Sequence, residues 1–260
     1  AGLSFADFVM VDAPAAIVCL IVMIGLFYLL FGRKFKVDEE HKRALMERDE
    51  REEIKNPTLL RQSVVMIVLV VVGFMAHGSL GIESCVVALT AAGVLMLVSG
   101  ERIEEALAHV EWTTLVFFAG LFIVVGALSE VGVIGMLAQA LIDVTGGSTF
   151  IAMLVLLIAS AIISSFLDNI PFVATMIPIL LSMEATGMDV APLWWAVSLG
   201  ACLGGNGTLI GASANVVMSD ISRKNGHVIT FAHFFKVGFP TMLATVAVSA
   251  IYLIVRFPPM

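Results

Sequence analysis

Residues Phe150 to Met183 read FIAMLVLLIASAIISSFLDNIPFVATMIPILLSM, 34 residues with a single charge at Asp168. A straight helix of that length would run about 50 Å, far beyond a hydrocarbon core of about 30 Å. Asp168, Asn169 and Pro171 supply turn chemistry in the middle, because Asn and Asp tolerate tight turns and proline lacks the amide that a continuing helix uses. Residues 150–183 are therefore predicted to form a re-entrant hairpin. Its arms, roughly 18 to 26 Å long, enter a membrane and stop inside it.

Downstream, Pro192 to Leu203 opens another apolar segment that meets GGNGTLIG, Gly204 to Gly211, with four glycines in eight residues. Such a run does not sustain a helix in lipid, so residues 192–222 are predicted to be a broken helix. Backbone groups bared at membrane depth are tolerable only where protein or a water-lined cavity satisfies them. The alternative is that the glycines serve close helix packing. Both segments leave the same face, so the tip at Asp168 and Asn169 is expected to lie against Gly204 to Gly211 near half-depth. A polar pocket bounded by Asn169, Asn206, Thr208 and Asn215 would follow.

The rest of the chain has the composition of a membrane protein: 60% of its 260 residues are hydrophobic and 13% charged, with a mean hydropathy of +1.04. Arg33 to Arg61 holds 17 of the 35 charged residues, nine of them basic, which marks one cytoplasmic loop with a short solvated helix near Leu45 and Met46. Crossings are expected at Pro14–Phe31, Val64–Leu80, Ser84–Ser99, Trp112–Leu128 and Pro240–Val255. Glu101–Glu111 has the spacing of an amphipathic interfacial helix, and Gly132–Val144 of a short helix along the outer face. Ala1 opens the chain with no initiator Met and no basic n-region, which reads as a truncated or processed chain without a signal peptide.

Two stretches repeat. Ser4 to Pro14 reads SFADFVMVDAP and Thr230 to Pro240 reads TFAHFFKVGFP, identical at Phe5/Phe231, Ala6/Ala232, Phe8/Phe234, Val11/Val237 and Pro14/Pro240. Counting crossings puts them in opposite orientations, as in the inverted-topology repeats of secondary transporters, whose sites lie at discontinuous helices. The chain then divides into the end of a first repeat (1–32), a charged cytoplasmic loop (33–62) and a second repeat (63–260) with its last crossing at 240–256. A matching first repeat is the expected partner, from the same transporter or, as the alternative, from an antiparallel homodimer.

Asp168 is costly at mid-bilayer, about 2.5 to 3.5 kcal/mol on insertion scales, so it is expected to face a site and take part in proton or cation coupling. The alternative is that it caps the second arm. Asn169 can hold an ion or an oxyanion without net charge, or simply form the turn, and Asn215 can line the cavity or make an interhelical hydrogen bond. The candidate ion or substrate residues are thus Asp168, Asn169, Pro171, Gly204, Gly205, Asn206, Gly207, Thr208, Gly211 and Asn215. His77, His109 and His233 are isolated, and Cys19, Cys85 and Cys202 lack ligand spacing, so neither a metal nor a disulfide is expected. No HExxH or GxSxG appears and no aspartyl dyad can form, so enzyme chemistry is not expected. The net charge of −7 comes with no basic face for nucleic acid.

At SSFLDNIPFVATMIPIL (Ser164–Leu180) and GACLGGNGTLIGASANV (Gly200–Val216), and more weakly at HVEWTTLVFFAGLF (His109–Phe122), the chain resembles the ion transporter superfamily of arsenite permeases, NhaD-type antiporters and dicarboxylate or citrate transporters, nearest its P protein branch. The resemblance implies that the hairpin tip and the broken helix complete one site, with roles for Asp168, Asn169, Thr208 and Asn215. The expectation is an all-α polytopic membrane protein, multi-pass and in the plasma (inner) membrane if prokaryotic. It would be the second half of an inverted-repeat transporter for a small inorganic ion or carboxylate, with no cofactor and coupling to H⁺ or Na⁺. An ion channel, with GGNGTLIG as a carbonyl-lined filter, and a non-transporting membrane scaffold are the alternatives.

Overall fold

The long apolar runs become helices with legible starts. The computed structural model describes residues 2–32, 39–47, 54, 56–100 and 102–259, and among them every regular element is a helix. In chain order these are α1 (Phe5–Leu30), α2 (Glu39–Met46), α3 (Pro57–Leu80), α4 (Ser84–Ser99), α5 (Ile103–Ala108), α6 (Trp112–Glu130), α7 (Val133–Val144), α8 (Thr149–Ser164), α9 (Asn169–Ala185), α10 (Ala191–Gly204), α11 (Ser213–Lys224) and α12 (Phe231–Arg256). Of these, α1, α3, α6 and α12 are each long and apolar enough to cross a membrane, while α7 and α8 form a pair bent by 114°. Most of the charged 33–62 loop lies outside the described residues, but the short helix expected near Leu45 and Met46 is present as α2.

Two expectations change. Helices α1 and α12 begin at Phe5 and Phe231, nine residues before the prolines expected to open them, and each carries its proline inside. Ser4 starts α1 through a capping box with Asp7, and Thr230 caps α12 by accepting from His233 N–H. The chain can keep helical geometry through a proline if nearby donors take up the disturbed carbonyls. Val11 and Val237, three residues before each proline, both accept an additional hydroxyl hydrogen bond at 2.7 Å, from Tyr252 and Thr241 respectively. The interfacial helix expected over Glu101–Glu111 is shorter, a six-residue α5.

Packing divides the chain into two units, one of Val11–Ile24 and Thr113–Met260, the other of Gly2–Met10 and Gly25–Trp112. In the first, α8 and α10 meet backbone to backbone. A Cβ on Gly200 would lie 2.6 Å from the Leu157 carbonyl oxygen, and one on Gly204 2.5 Å from that of Ala161. Successive turns of the two helices pair in the same order, so they run parallel, with Gly200 and Gly204 in small-xxx-small spacing. Helices α8 and α9 are separated by a turn at residues 165–168, and Thr149 Oγ1, at the start of α8, donates to the Asp189 carbonyl beyond the end of α9 at 3.2 Å. In the same unit Val11 meets Tyr252, and Cys19, farther along α1, meets Thr245, earlier in α12, so the two repeat-bearing helices are antiparallel.

In the second unit α3 and α4 form a pair closed by Gly81 in the left-handed conformation at φ 65°. Gly73 admits the Val87 side chain, against which a Cβ would come within 2.6 Å. His77 joins the turn to the start of α1: its Nδ1 lies 3.2 Å from the Ile82 carbonyl, and its Nε2 accepts from Phe5 N–H at 3.2 Å. A carbonyl only accepts and an amide only donates, so these two contacts call for a proton on Nδ1 and a lone pair on Nε2.

Candidate functional site

The hairpin turn forms because α8 and α9 each end on their own chemistry. Asp168 Oδ1 accepts from Ile170 N–H at 3.0 Å and caps α9. Pro171 falls in the first turn of α9, where helical amides have no intrahelical partner to lose. Asp168 and Asn169 are both half-buried. The acid is therefore seen as the cap of the second arm, and Asn169 opens that arm beside it.

The two residues that seat the hairpin on the glycine break are Ser164 and Ser165, just before the tip. Both are fully buried, as is Thr208. Ser164 Oγ donates to the Ala201 carbonyl at 2.8 Å, and Ser165 Oγ lies 3.0 Å from that of Gly204. Thr208 Oγ1 donates in return to the Ser165 carbonyl. Helix α10 thus ends at Gly204, the chain turns through 205–212, and α11 restarts at Ser213 without a side-chain cap. Asn215, in the first turn of α11, spans the gap by donating to the carbonyls of Gly205 (2.8 Å) and Thr208 (3.0 Å).

None of the glycines at 204, 205, 207 and 211 has a positive φ. They are needed for proximity. A Cβ on Gly211 would lie 2.8 Å from both the Gly205 and Ser165 carbonyl oxygens, and one on Gly207 would collide with Ser165 Oγ. The break and the close packing, weighed as alternatives from the sequence, are one arrangement. Buried carbonyls are held by two inward-turned side chains, Thr208 and Asn215, while Asn206 remains exposed at its edge.

Comparison with known proteins now bears on this arrangement. A family model described as "Citrate transporter" matches residues 1–200. The chain belongs to the citrate transporter family. An uncharacterized transporter of Mycobacterium bovis is 43% identical over 261 residues, covering 99% of this chain and 60% of that protein. The P protein of Sus scrofa is 38% identical over 233 residues, 84% of this chain and 27% of its own length. The human P protein is 45% identical over 175 residues, 64% of this chain and 21% of its own. The chain thus spans about 60% of the length of the mycobacterial relative. The resemblance to the P protein branch is borne out, and a family of transporters with several membrane-length apolar helices makes this an integral, multi-pass membrane protein.

For a citrate transporter family member, one further acid stands out that the sequence did not single out. Asp12, which precedes the crossing expected at Pro14–Phe31, lies inside α1. Its Oδ2 accepts from Ser198 Oγ at 2.6 Å, and its Oδ1 is buried with no hydrogen-bond partner among the described residues. Leaving such a group unmatched costs about 1 to 3 kcal/mol, and more when it is charged. The one available signal was the repeat, in which Asp12 aligns with Gly238. A Cβ on Gly238 would come 2.6 Å from the Asn206 carbonyl, so both repeat positions face the broken helix.

Proposed function

We propose that this chain is the second inverted repeat, with the end of the first, of a secondary active transporter that moves a small anion by alternating access. The observation that carries the reading is the meeting of two chain breaks, where Thr208 and Ser165 lock the hairpin turn to the glycine stretch. Discontinuous helices of this kind hold substrate in secondary transporters. The antiparallel pairing of α1 with α12, each started by a related eleven-residue stretch, supports the inverted arrangement.

A carboxylate substrate suits the ends on offer. The uncapped start of α11 presents backbone amides at the partially positive end of a helix. Asp168 and Asn169 at the tip would hold a coupling cation, H⁺ or Na⁺, beside it. The family description makes a di- or tricarboxylate such as citrate the first candidate, ahead of arsenite, sodium/proton exchange and chloride. The partner is a first repeat carrying its own hairpin, in the same polypeptide or from an antiparallel second copy.

The test is uptake by the complete gene product in proteoliposomes, with citrate, succinate, arsenite, sodium and chloride offered separately. Saturable citrate uptake that Asp168→Asn abolishes or uncouples is the expected result. Single-ion currents above any transporter's turnover would replace this reading with a channel. No flux of any of the five would leave a scaffold.

A further inference from the structure

We propose that Asp12 is a proton-carrying site, held against α10 by the Ser198 hydroxyl. The inference deepens the transport reading above and rests on it for its physiological role. Asp12 projects from α1 onto Ser198, whose hydroxyl occupies one carboxylate oxygen at 2.6 Å. The other oxygen is buried and unpartnered among the described residues. Cys202 stands one turn beyond Ser198 on the same face of α10, toward the glycine break. A half-buried acid with one hydroxyl partner thus sits against the stretch of α10 that runs into the glycine break.

A proton fits this place better than a metal cation. Hard cations of the Mg²⁺ or Ca²⁺ type take six or more oxygen ligands, whereas one hydroxyl meets this carboxylate. Among the described residues, the titratable groups near it on the packed helices are Cys202 of α10 and Tyr252 of α12, whose hydroxyl donates to the Val11 carbonyl at 2.7 Å. Neither brings a positive charge. On α1 itself, Asp7 is engaged in the Ser4 capping box and Cys19 points to Thr245. Oδ1 takes one proton from hydronium on one side of the membrane, leaving water and a neutral acid, and returns that proton to water on the other. Ser198 keeps its own proton and is a positioning residue. The repeat-equivalent position is Gly238, packed on the Asn206 carbonyl, so only one of the two positions can carry the acid.

The experiment is a pH-stepped infrared difference spectrum of the complete purified protein, paired with proton and citrate fluxes in proteoliposomes. Wild type should show a carboxylic-acid carbonyl band that titrates with pH and disappears in Asp12→Asn. That variant should lose at least tenfold of pH-gradient-driven citrate accumulation and its linked proton signal, yet retain citrate counterflow within about threefold. Asp12→Glu should recover part of the accumulation, and Ser198→Ala should shift the midpoint of the band without removing it. A band unchanged in Asp12→Asn overturns the proposal, as does accumulation driven by a sodium gradient alone and lost in that variant. Loss of counterflow together with accumulation also overturns it, by making Asp12 structural. If wild type moves no citrate but the Asp12 band is present, the protonation site stands and the citrate reading fails.

Discussion

Replacing Gly204 with alanine is expected to destabilise the protein by about 1 to 3 kcal/mol, although alanine in a helix ordinarily stabilises it by about 1 kcal/mol over glycine. The sign reverses because the new methyl would meet Ala161 at its carbonyl oxygen (2.5 Å), Cα (2.8 Å) and carbonyl carbon (3.0 Å), all backbone atoms of α8. A flexible side chain could give way; a helix backbone cannot without separating α8 from α10. Separation would also stretch the Ser164 and Ser165 hydrogen bonds to α10, and so unseat the hairpin. The control is Gly25→Ala in α1, where a Cβ meets nothing within 4 Å. Thermal unfolding in detergent, followed by the fluorescence of Trp194 and Trp195 on α10, should fall for Gly204→Ala and hold or rise for Gly25→Ala. Equal behaviour of the two variants would mean that the α8 and α10 backbones are not in contact.

The second large effect is expected at Asn215, and its ordering is the informative part. Asn215→Ala removes both donors to the Gly205 and Thr208 carbonyls, leaving two acceptors unmade at about 1 to 3 kcal/mol each. Asn215→Asp keeps the shape but turns carboxylate oxygens toward two carbonyl oxygens, so it adds repulsion to the loss. Uptake of the proposed carboxylate substrate by the complete protein should fall at least tenfold in the alanine variant and further in the aspartate variant. An aspartate variant that transports as well as wild type would show that Asn215 faces solvent or substrate and not the break.

Much of this arrangement was legible because it is written in local chemistry. The Asp168, Asn169, Pro171 turn and the glycine run interrupt apolar segments too long or too weak to be single helices, and both interruptions are present. The starts of α1 and α12 were misjudged because proline looks like a boundary in isolation. In both cases the helix runs on through the proline, and a hydroxyl from Tyr252 or Thr241 bonds the carbonyl three residues before it. Ser164 and Ser165 were unremarked because serines in an apolar run look like small core residues. Their partners lie about forty positions away in the chain, at Ala201 and Gly204. Asp12 was hidden by the same proline, since an acid before an expected crossing reads as solvent-exposed. Gly200 completes the spacing with Gly204, but it stood outside the glycine run that drew notice.

The central claim is that the hairpin turn and the glycine break bound one substrate site. Its most direct test is substrate protection of two single-cysteine variants of the complete transporter, Asn169→Cys and Asn206→Cys, each made with Cys19, Cys85 and Cys202 replaced by serine. A membrane-impermeant thiol reagent is applied in proteoliposomes that demonstrably take up the protecting solute. The account predicts that this solute slows labelling at both positions over the same concentration range. Labelling rates at both positions that do not change at saturating solute, in protein that still transports it, would contradict it.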